Sequence, residues 1–375
     1  MTRSRVLIKF IDRPRAANVI STMAVEPEIL IPVGYDEVLN DRMRSRYNYF
    51  FHRKGIPTIC AEPVRLERYL EADMEIRLER LLEKYQSRSP VVDISDADRL
   101  ETLALGHILE KHKYWGIGVL DYRIREGIFL PLKNAGFLQR LTFPRLLYED
   151  YTFLREEKNP IVPDFTRKDL TKQAVKEIRT LGRLYAAKPS YWKDLSARLS
   201  FTLGEISEDK LEFVIDAASL GIRDAAFEEL RDVGVLSFFE RKNGIVRIKA
   251  ADKVALRLLT SIGDLPLMGI FLTAAGVREY GKNAAYHDLR LIRGRYVTGI
   301  NRCLPVIIAL CDDRVGADDV VHFAGDTVGI YDEPVRRILV RYGEKPWPDD
   351  VRSCAENYEV ELVYAGDLAN LLEPR

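Results

Sequence analysis

Short apolar runs alternate with amphipathic segments along the first 155 residues of the chain. The run "RVLIKFI" is interrupted only by Lys9 and stops at Asp12, Arg13 and Pro14, which favours a buried parallel strand. Helical spacing follows in "RAANVISTMAV", and the same succession continues through "EILIPVG", "PVVDIS" and "ADRLETLALGHILEKH". The segment "WGIGVLDYRIREGIFLPL" then closes as a hairpin. This alternation predicts a doubly wound α/β sheet with helices on both faces.

Two loops of this predicted sheet are candidates for binding a ligand, because such sheets bind ligands where the strand order switches. They are "IDRPRAAN" after the first strand and "ISDADR" after the fourth, and neither contains the GxGxxG motif of an ordinary NAD enzyme. Arginines bind phosphates, and Asn or Ser can hydrogen-bond an adenine edge or a ribose. The candidate ligand-binding residues are Asp12, Arg13, Arg15, Asn18, Ser95, Asp96 and Arg99.

A structural explanation competes with ligand binding at the same loops. Polar residues that follow a strand often cap the next helix, and either Asp96 or Asp98 would serve as an N-cap. The position of the loops favours a ligand, whereas the residue types also fit capping, so the sequence leaves both interpretations open.

The middle segment, residues 165–262, is predicted to be mainly helical and to end in a hairpin. Helices are expected in "EDKLEFVIDAASL" and "GIRDAAFEELRDVGV", and two β-like runs then flank Asn243 and Gly244, a strong hairpin signal. This order is typical of a winged helix. Its basic residues could contact phosphates: Arg223, Arg231, Arg241, Lys242, Arg247 and Lys249. Its second helix is crowded with acids, which favours a spacer or dimer contact instead.

The last segment, residues 263–375, is predicted to contain strands and helices in mixed order. We expect a helix in "PLMGIFLTAAGVREYG", one strand in "DLRLIRGRYV", and a hairpin in "GINRCLPVIIALCDDRVGADDVVHFAG". The segment "PVRRILVRYG" is strand-like, "PDDVRSCAENY" is helical, and "VELVYAGDLANLL" begins as a strand and ends as a helix.

Composition narrows the choice of partners. The 57 basic residues balance 57 acidic ones, so a nucleic acid would have to be held by a local patch rather than by the overall charge. The four cysteines are scattered, with no CxxC pair, which favours reduced thiols. No apolar run is long enough to span a bilayer, so we expect a cytoplasmic protein without a membrane partner.

The order of elements resembles that of the CARF (CRISPR-associated Rossmann fold) effector nucleases of type III CRISPR immunity. The resemblance rests on "VLIKFIDRPRAANVIS", on "VVDISDADRLETLALG" and on the strands and helices of the last segment. It implies a Rossmann-like CARF sensor at residues 1–155, a winged-helix-like insert at 165–262 and a restriction-endonuclease-like domain at 263–375. It also implies a homodimer that binds a cyclic oligoadenylate across its two-fold axis.

The expected nuclease site is degenerate in this chain. Such nucleases need an Asp on one strand and Glu-x-Lys on the next to hold Mg²⁺ or Mn²⁺ and activate water. In the predicted hairpin those positions carry, respectively, Arg302, Leu304 and Pro305, and His322, Phe323 and Ala324. A shifted metal site of Asp288, Asp319 and His322 is an alternative to solvated charges, so no catalytic or metal-binding residue is assigned.

The leading hypothesis is therefore a cyclic-oligoadenylate-responsive CRISPR accessory protein for antiviral defence, with a nuclease-like but impaired effector domain. One alternative is an active DNA or RNA nuclease that needs Mg²⁺ or Mn²⁺. Another is a ligand-gated regulator that binds DNA through the winged helix. The sequence leaves the ring size of the cyclic ligand open.

Overall fold

A computed structural model provides the structure of the protein. It describes the following parts of the 375-residue chain: residues 6–13, 15–35, 39–67, 71–123, 126, 128–134, 141, 144–156, 160–187, 194–195, 198–199, 211–216, 221–260, 268, 286–301, 303–311, 314–331, 334–341 and 345–368. The helix predicted for residues 266–281 lies almost wholly outside this set.

The chain divides into two compact units. The first comprises residues 1–160 with the short returning stretches 302–305 and 328–335. The second comprises residues 161–301, 306–327 and 336–375.

The first unit is built on one mostly parallel sheet. Its strands are β1 Val6–Phe10, β2 Ile29–Tyr35, β3 Ile59–Cys60, β4 Val64–Leu66, β5 Val91–Asp93, β6 Gly118–Arg123 and β7 Ile128–Lys133. The order across the sheet is β3-β2-β1-β5-β6-β7, with β4 also paired to β2, and only the last pair is antiparallel. The predicted doubly wound α/β sheet is thus confirmed.

The helices of the first unit follow from the amphipathic segments. They are α1 Ala17–Val25, α2 Asp41–Arg53, α3 Glu71–Tyr85, α4 Arg99–Lys111 and α5 Tyr148–Leu154. Apolar residues of α3 and α4 pack on one face of the sheet, where Leu78 and Ile108 are almost fully buried beside Ile8. Burying each such side chain stabilises the fold by roughly 1.5–3 kcal/mol.

The remaining strands form two further sheets. They are β8 Phe165–Thr166, β9 Glu212–Asp216, β10 Leu236–Lys242, β11 Ile245–Ala250, β12 His287–Ile292, β13 Tyr296–Asn301, β14 Leu304–Cys311, β15 Arg336–Arg341 and β16 Val360–Tyr364. One sheet has the order β10-β11-β9, and the other has the order β16-β15-β14-β13-β12-β8. The helices in this part are α6 Lys172–Ala187, α7 Asp224–Asp232, α8 Lys253–Thr260, α9 Ala317–Tyr331 and α10 Asp349–Asn357.

Part of the middle segment was predicted correctly. The helix α7 and the hairpin of β10 and β11 are where the sequence placed them, and Asn243 and Gly244 adopt the positive φ values of 53° and 80° that a tight hairpin turn needs. The helix predicted in "EDKLEFVIDAASL" is wrong, because Glu212–Asp216 form β9 and pair antiparallel with β11. The winged-helix interpretation remains a prediction.

The hairpin predicted for residues 299–325 is wrong in its second half. The first strand exists as β14, but the segment that follows forms the helix α9, whose buried residues Val320, Phe323, Thr327 and Ile330 recur at helical spacing. The single strand predicted in "DLRLIRGRYV" is also wrong, because β12 and β13 form an antiparallel hairpin there.

No helix in the described part of the chain is both long and apolar enough to cross a bilayer.

Candidate ligand site at the switch in strand order

The switch in strand order of the first unit lies between β1 and β5. The chain leaves β1 through α1 towards β2 on one side, and leaves β5 through α4 towards β6 on the other. The loops 11–16 and 94–98 therefore meet at the carboxyl ends of two adjacent parallel strands. This is the position at which open α/β sheets bind ligands.

A buried ion pair joins the two strands directly beneath these loops. Lys9 and Asp93 are register partners, and the Lys9 Nζ lies 2.7 Å from Asp93 Oδ2 and 3.6 Å from Asp96 Oδ2. Burial alone would lower the pKa of Lys9, but the two carboxylates outweigh it and hold this pKa above its ordinary value. Burial likewise works to raise the pKa of Asp93, and attraction to Lys9 holds it below its ordinary value. Both groups are therefore charged.

Sequence reasoning missed Lys9. The available signal was a single lysine inside an otherwise apolar strand, matched by an aspartate at the end of another strand. A fully buried lysine needs a partner of opposite charge.

Arg15 neutralises the acidic loop from the other side. Its guanidinium hydrogen-bonds the Asp96 carboxylate and lies 3.3 Å from Asp12 Oδ1. The Asp96 side chain is only 5% exposed, so it is held between Arg15 and Lys9 rather than facing solvent. The structure thus brings Asp12, Arg15 and Asp96 together as the sequence suggested, with the carboxylates already compensated.

The Ser95 hydroxyl both donates and accepts a hydrogen bond within the protein. The hydroxyl and the backbone N–H of Ser95 donate to Asp93 Oδ1, and the hydroxyl oxygen accepts the backbone N–H of Tyr122 at 2.6 Å. The Ser95 hydroxyl proton is therefore used within the fold, which leaves only an acceptor position for a ligand.

Asp98 fulfils the capping role that competed with ligand binding. Its carboxylate accepts the Glu101 N–H at 2.8 Å and Glu101 accepts the Asp98 N–H at 2.8 Å, a capping box at the start of α4. Burial, together with the nearby carboxylates of Asp98, Asp12 and Asp96, raises the pKa of Glu101 to about 7. The capping box makes Asp98, and not Asp96, the N-cap of α4. The second carboxylate oxygen of Asp98 accepts the Tyr35 hydroxyl at 2.6 Å.

The first two turns of α1 contain buried polar groups under the first loop. Asn18 is fully buried, and its Nδ2 donates to the Arg13 carbonyl at 2.7 Å and to the Tyr47 hydroxyl at 2.9 Å. The Asn18 Oδ1 and the buried Thr22 hydroxyl have no hydrogen-bond partner in the described part of the chain. The buried Ser21 hydroxyl lies close enough to Asp93 to help lower the pKa of that carboxyl. Sequence reasoning named Asn18 but missed the two hydroxyls, which are small polar positions within an apolar helix face.

Arg13 and Arg99 differ from Arg15. Both are exposed, and neither side chain forms an ion pair within the described residues. Arg99 is the first residue of α4. A cation at this end of a helix is unfavourable for the helix dipole, so helix stability does not explain it.

The close approach of the first loop to β2 depends on Gly34. The Ile11 N–H donates to the Val33 carbonyl at 2.8 Å, and a Cβ at position 34 would lie 2.5 Å from the Ile11 carbonyl oxygen. Only glycine fits there without a shift of the backbone.

The second unit contains a cavity of about 370 Å³ near the N-terminal half of α9. Asp319, His322 and Asp326 line it together with Tyr296 from β13. The Tyr296 hydroxyl donates to Asp326 at 2.8 Å, and burial followed by this contact raises the pKa of Tyr296 to about 12.

The shifted metal site is only partly assembled. Asp319 and His322 share this cavity, but Asp288 does not line it and pairs with Arg290 at 3.0 Å. Asp319 accepts the Gly316 N–H at 2.8 Å. Within the described residues no group of three or more His, Cys, Asp or Glu side chains is arranged to hold a metal ion.

The sheet of the first unit and the loops at its switch point define an α/β protein of the Rossmann-like type. No protein-family model and no curated protein matches the sequence. Solved structures that share its fold include the following two. Protein VC1899 from Vibrio cholerae is 14% identical, with a TM-score of 0.64, and the alignment covers 98% of this chain and 95% of that one.

The second is Can2 from Sulfobacillus thermosulfidooxidans in complex with cyclic tetra-adenylate. It is 11% identical, with a TM-score of 0.59, and the alignment again covers 98% of this chain and 95% of that one. At these identities the likeness establishes the fold, and the α/β fold that the resemblance to CARF effectors implied is confirmed.

Proposed function

We propose that the protein is a cyclic-oligoadenylate-responsive CRISPR accessory protein that binds its ligand at the switch between β1 and β5. The observation that carries the proposal is the charge arrangement at this point. The carboxylates that would repel a phosphodiester are neutralised by cations of the protein: Asp96 pairs with Arg15 and Lys9, and Asp93 pairs with Lys9. The exposed guanidiniums of Arg13 and Arg99 are left to meet phosphates. The complex of Can2 with cyclic tetra-adenylate supports the same ligand class.

Each residue of the candidate site has a role in this proposal. Arg99 and the N-terminus of α4 both attract an anion, and Arg13 adds a second cation on the neighbouring loop. Asp12 offers carboxylate oxygens that accept hydrogen bonds from an adenine amino group or a ribose hydroxyl. Asn18 is fully buried, so its role is to support the first loop through its hydrogen bond to the Arg13 carbonyl. Ser95 and Asp96 hold the second loop in place through Asp93 and Arg15.

A homodimer is part of the proposal. A ring with an even number of identical nucleotides has a two-fold axis, and two copies of one loop pair related by a two-fold axis would match it. This expectation rests on the resemblance to CARF effectors.

The output of the second unit is proposed to be conformational or weakly nucleolytic. The adjacent strands β13 and β14 read "YVTGIN" and "LPVIIALC" and contain no acid or lysine. The nearby carboxylates are engaged, Asp288 with Arg290, Asp319 with the Gly316 N–H, and Asp326 with Tyr296. A metal-dependent nuclease remains the alternative, and it would lose its activity in EDTA and in Asp319→Ala.

Thermal unfolding with cyclic tri-, tetra- and hexa-adenylate tests the binding proposal, with linear oligoadenylate as a control. A ligand at 100 times its Kd stabilises the native state by about 2.7 kcal/mol, so one ring should raise the Tm clearly. Arg13→Ala combined with Arg99→Ala should remove this rise. Arg88→Ala is the matched control, because Arg88 is exposed at the opposite, amino end of β5.

Two results would overturn the proposal. One is the absence of a Tm shift with any ring. The other is a shift that survives loss of both Arg13 and Arg99.

A further inference from the structure

The three-stranded sheet of the second unit has one covered face and one open face. On the covered face Phe213, Ile215, Val246 and Ile248 are buried. On the same face Phe239 stacks on Phe227 of α7, with ring centroids 5.1 Å apart. Side chains alternate between the faces of a strand, so the residues between these point the other way.

The open sheet face combines apolar and cationic side chains. We define it by Val214 on β9, Phe238 and Lys242 on β10, and Ile245, Arg247 and Lys249 on β11. Val214 is 62% exposed, Ile245 48% and Phe238 41%, which is unusually high for residues of these types within a sheet.

Strand register shows how these side chains interleave. Lys249 is paired with Phe238, Arg247 with Val214, and Ile245 with Lys242. Directly paired positions have Cβ atoms about 4.5–5.5 Å apart, so each cation lies beside an apolar neighbour. The face also carries Glu240 opposite Arg247 and Glu212 opposite Lys249.

The three cations are available to a partner. Within the described residues none of Lys242, Arg247 and Lys249 forms an ion pair, even though two of them face glutamates across the strands. Arg241 differs, because it points to the covered side, lies 2.6 Å from Asp224 and donates to the Ile222 carbonyl. Arg241 is therefore already paired within the protein, and we do not include it among the cations of the open sheet face.

We propose that this open sheet face binds single-stranded nucleic acid. An unpaired strand offers base faces that stack on Phe238 and rest against Val214 and Ile245, and phosphates that meet the cations. A second protein copy fits less well, because Arg247 and Lys249 on the central strand divide the apolar groups and would be desolvated in a dry interface. A duplex fits less well because its bases are not accessible for stacking on Phe238.

Binding of single-stranded nucleic acid by this face does not depend on cyclic nucleotide binding, which is proposed for the first unit. It is also distinct from duplex binding through α7, where Arg231 is the exposed cation and pairs with Asp232 at 3.4 Å. With one aromatic residue and two nearby glutamates, the face is expected to bind a short segment with modest affinity.

Fluorescence anisotropy of the full chain with labelled 12-nucleotide oligo-U and oligo-dT tests the proposal, with a 12-base-pair duplex for comparison. EDTA prevents cleavage during the measurement. Phe238→Ala should weaken binding by about 5-fold or more, with no change in salt dependence, because it removes stacking. Arg247→Ala and Lys249→Ala should each weaken binding at low salt and lower the log–log salt slope by roughly 0.7.

Two further variants keep the test independent of folding defects. Glu240→Gln removes a negative charge beside Arg247 and should tighten binding by about 2-fold, which a damaged fold would not do. Arg231→Ala on α7 is the matched control and should bind like the unchanged protein. The proposal would be overturned if Phe238→Ala and Arg247→Ala both bound the single strand as tightly as the unchanged protein does. It would also be overturned if the protein preferred the duplex and lost binding in Arg231→Ala.

Discussion

Lys9→Met is the most informative test of the candidate site, because it removes one charge from a buried cluster and keeps most of the length of the side chain. The Lys9 Nζ lies 2.7 Å from Asp93 and 3.6 Å from Asp96, and the Lys9 and Asp93 side chains are at most 1% exposed. Coulomb's law with an effective dielectric constant of 20 gives about 6 kcal/mol for the closer pair. Leaving one partner of such a pair buried alone typically costs about 3–5 kcal/mol.

Hydrogen exchange of peptides from β1 and β5 measures this loss within the first unit. We expect the free energy of opening to fall by about 3–5 kcal/mol in Lys9→Met at pH 8. Without Lys9, burial raises the pKa of Asp93 above its ordinary value. A raised pKa stabilises the folded state at low pH and loses that effect as pH increases, so the defect should shrink at pH 5.

Two variants decide the interpretation. Lys111→Met is the matched control, because Lys111 is 60% exposed and pairs with Glu79 at 2.8 Å, so solvent screens the pair and its loss should change the stability little. Adding Asp93→Asn to Lys9→Met should restore much of the lost stability. A loss in Lys9→Met no larger than in Lys111→Met would refute the reasoning.

Three further predictions concern the same unit. Asp98→Ala removes the cap of α4 and should increase hydrogen exchange in its first turn, at a cost of about 1 kcal/mol. The pKa of Glu101, raised to about 7, predicts that stability falls as pH rises from 5 to 8, and Glu101→Gln should flatten this dependence in urea titrations. Burial raises the pKa of Cys60 to about 12, so at pH 8 iodoacetamide should label Cys60 only after unfolding, as mass spectrometry of the peptide would show.

The doubly wound sheet could be predicted from the sequence because its signals are local. Each buried strand of the first unit is a short apolar run, and each helix has its own amphipathic spacing. The partner of Lys9 could not be predicted in the same way, because Asp93 lies 84 residues further along and only strand order brings the two together. The roles of Asp96 and Asp98 also needed the structure, since either one fits the sequence pattern of an N-cap.

The errors in the second half have a physical origin as well. Valines in "DDVVHFAGD" favour a strand by propensity, but burial of Val320, Phe323 and Thr327 on one side of α9 overrides it. In "LEFVID" the alternation of Phe213 and Ile215 was a strand signal, and pairing of β9 with β11 decides the conformation. Neither element could be assigned without its tertiary partners.

The absence of a side chain at Gly34 gives a way to separate the position of the arginines from their charge. The Cβ of Gly34→Ala would lie 2.5 Å from the Ile11 carbonyl oxygen. This steric clash would push the loop that carries Arg13 and Arg15 away from β2. Every ionisable group would remain. Ligand affinity lost in this variant would therefore measure how far the site depends on alignment, whereas Arg13→Ala measures how far it depends on attraction.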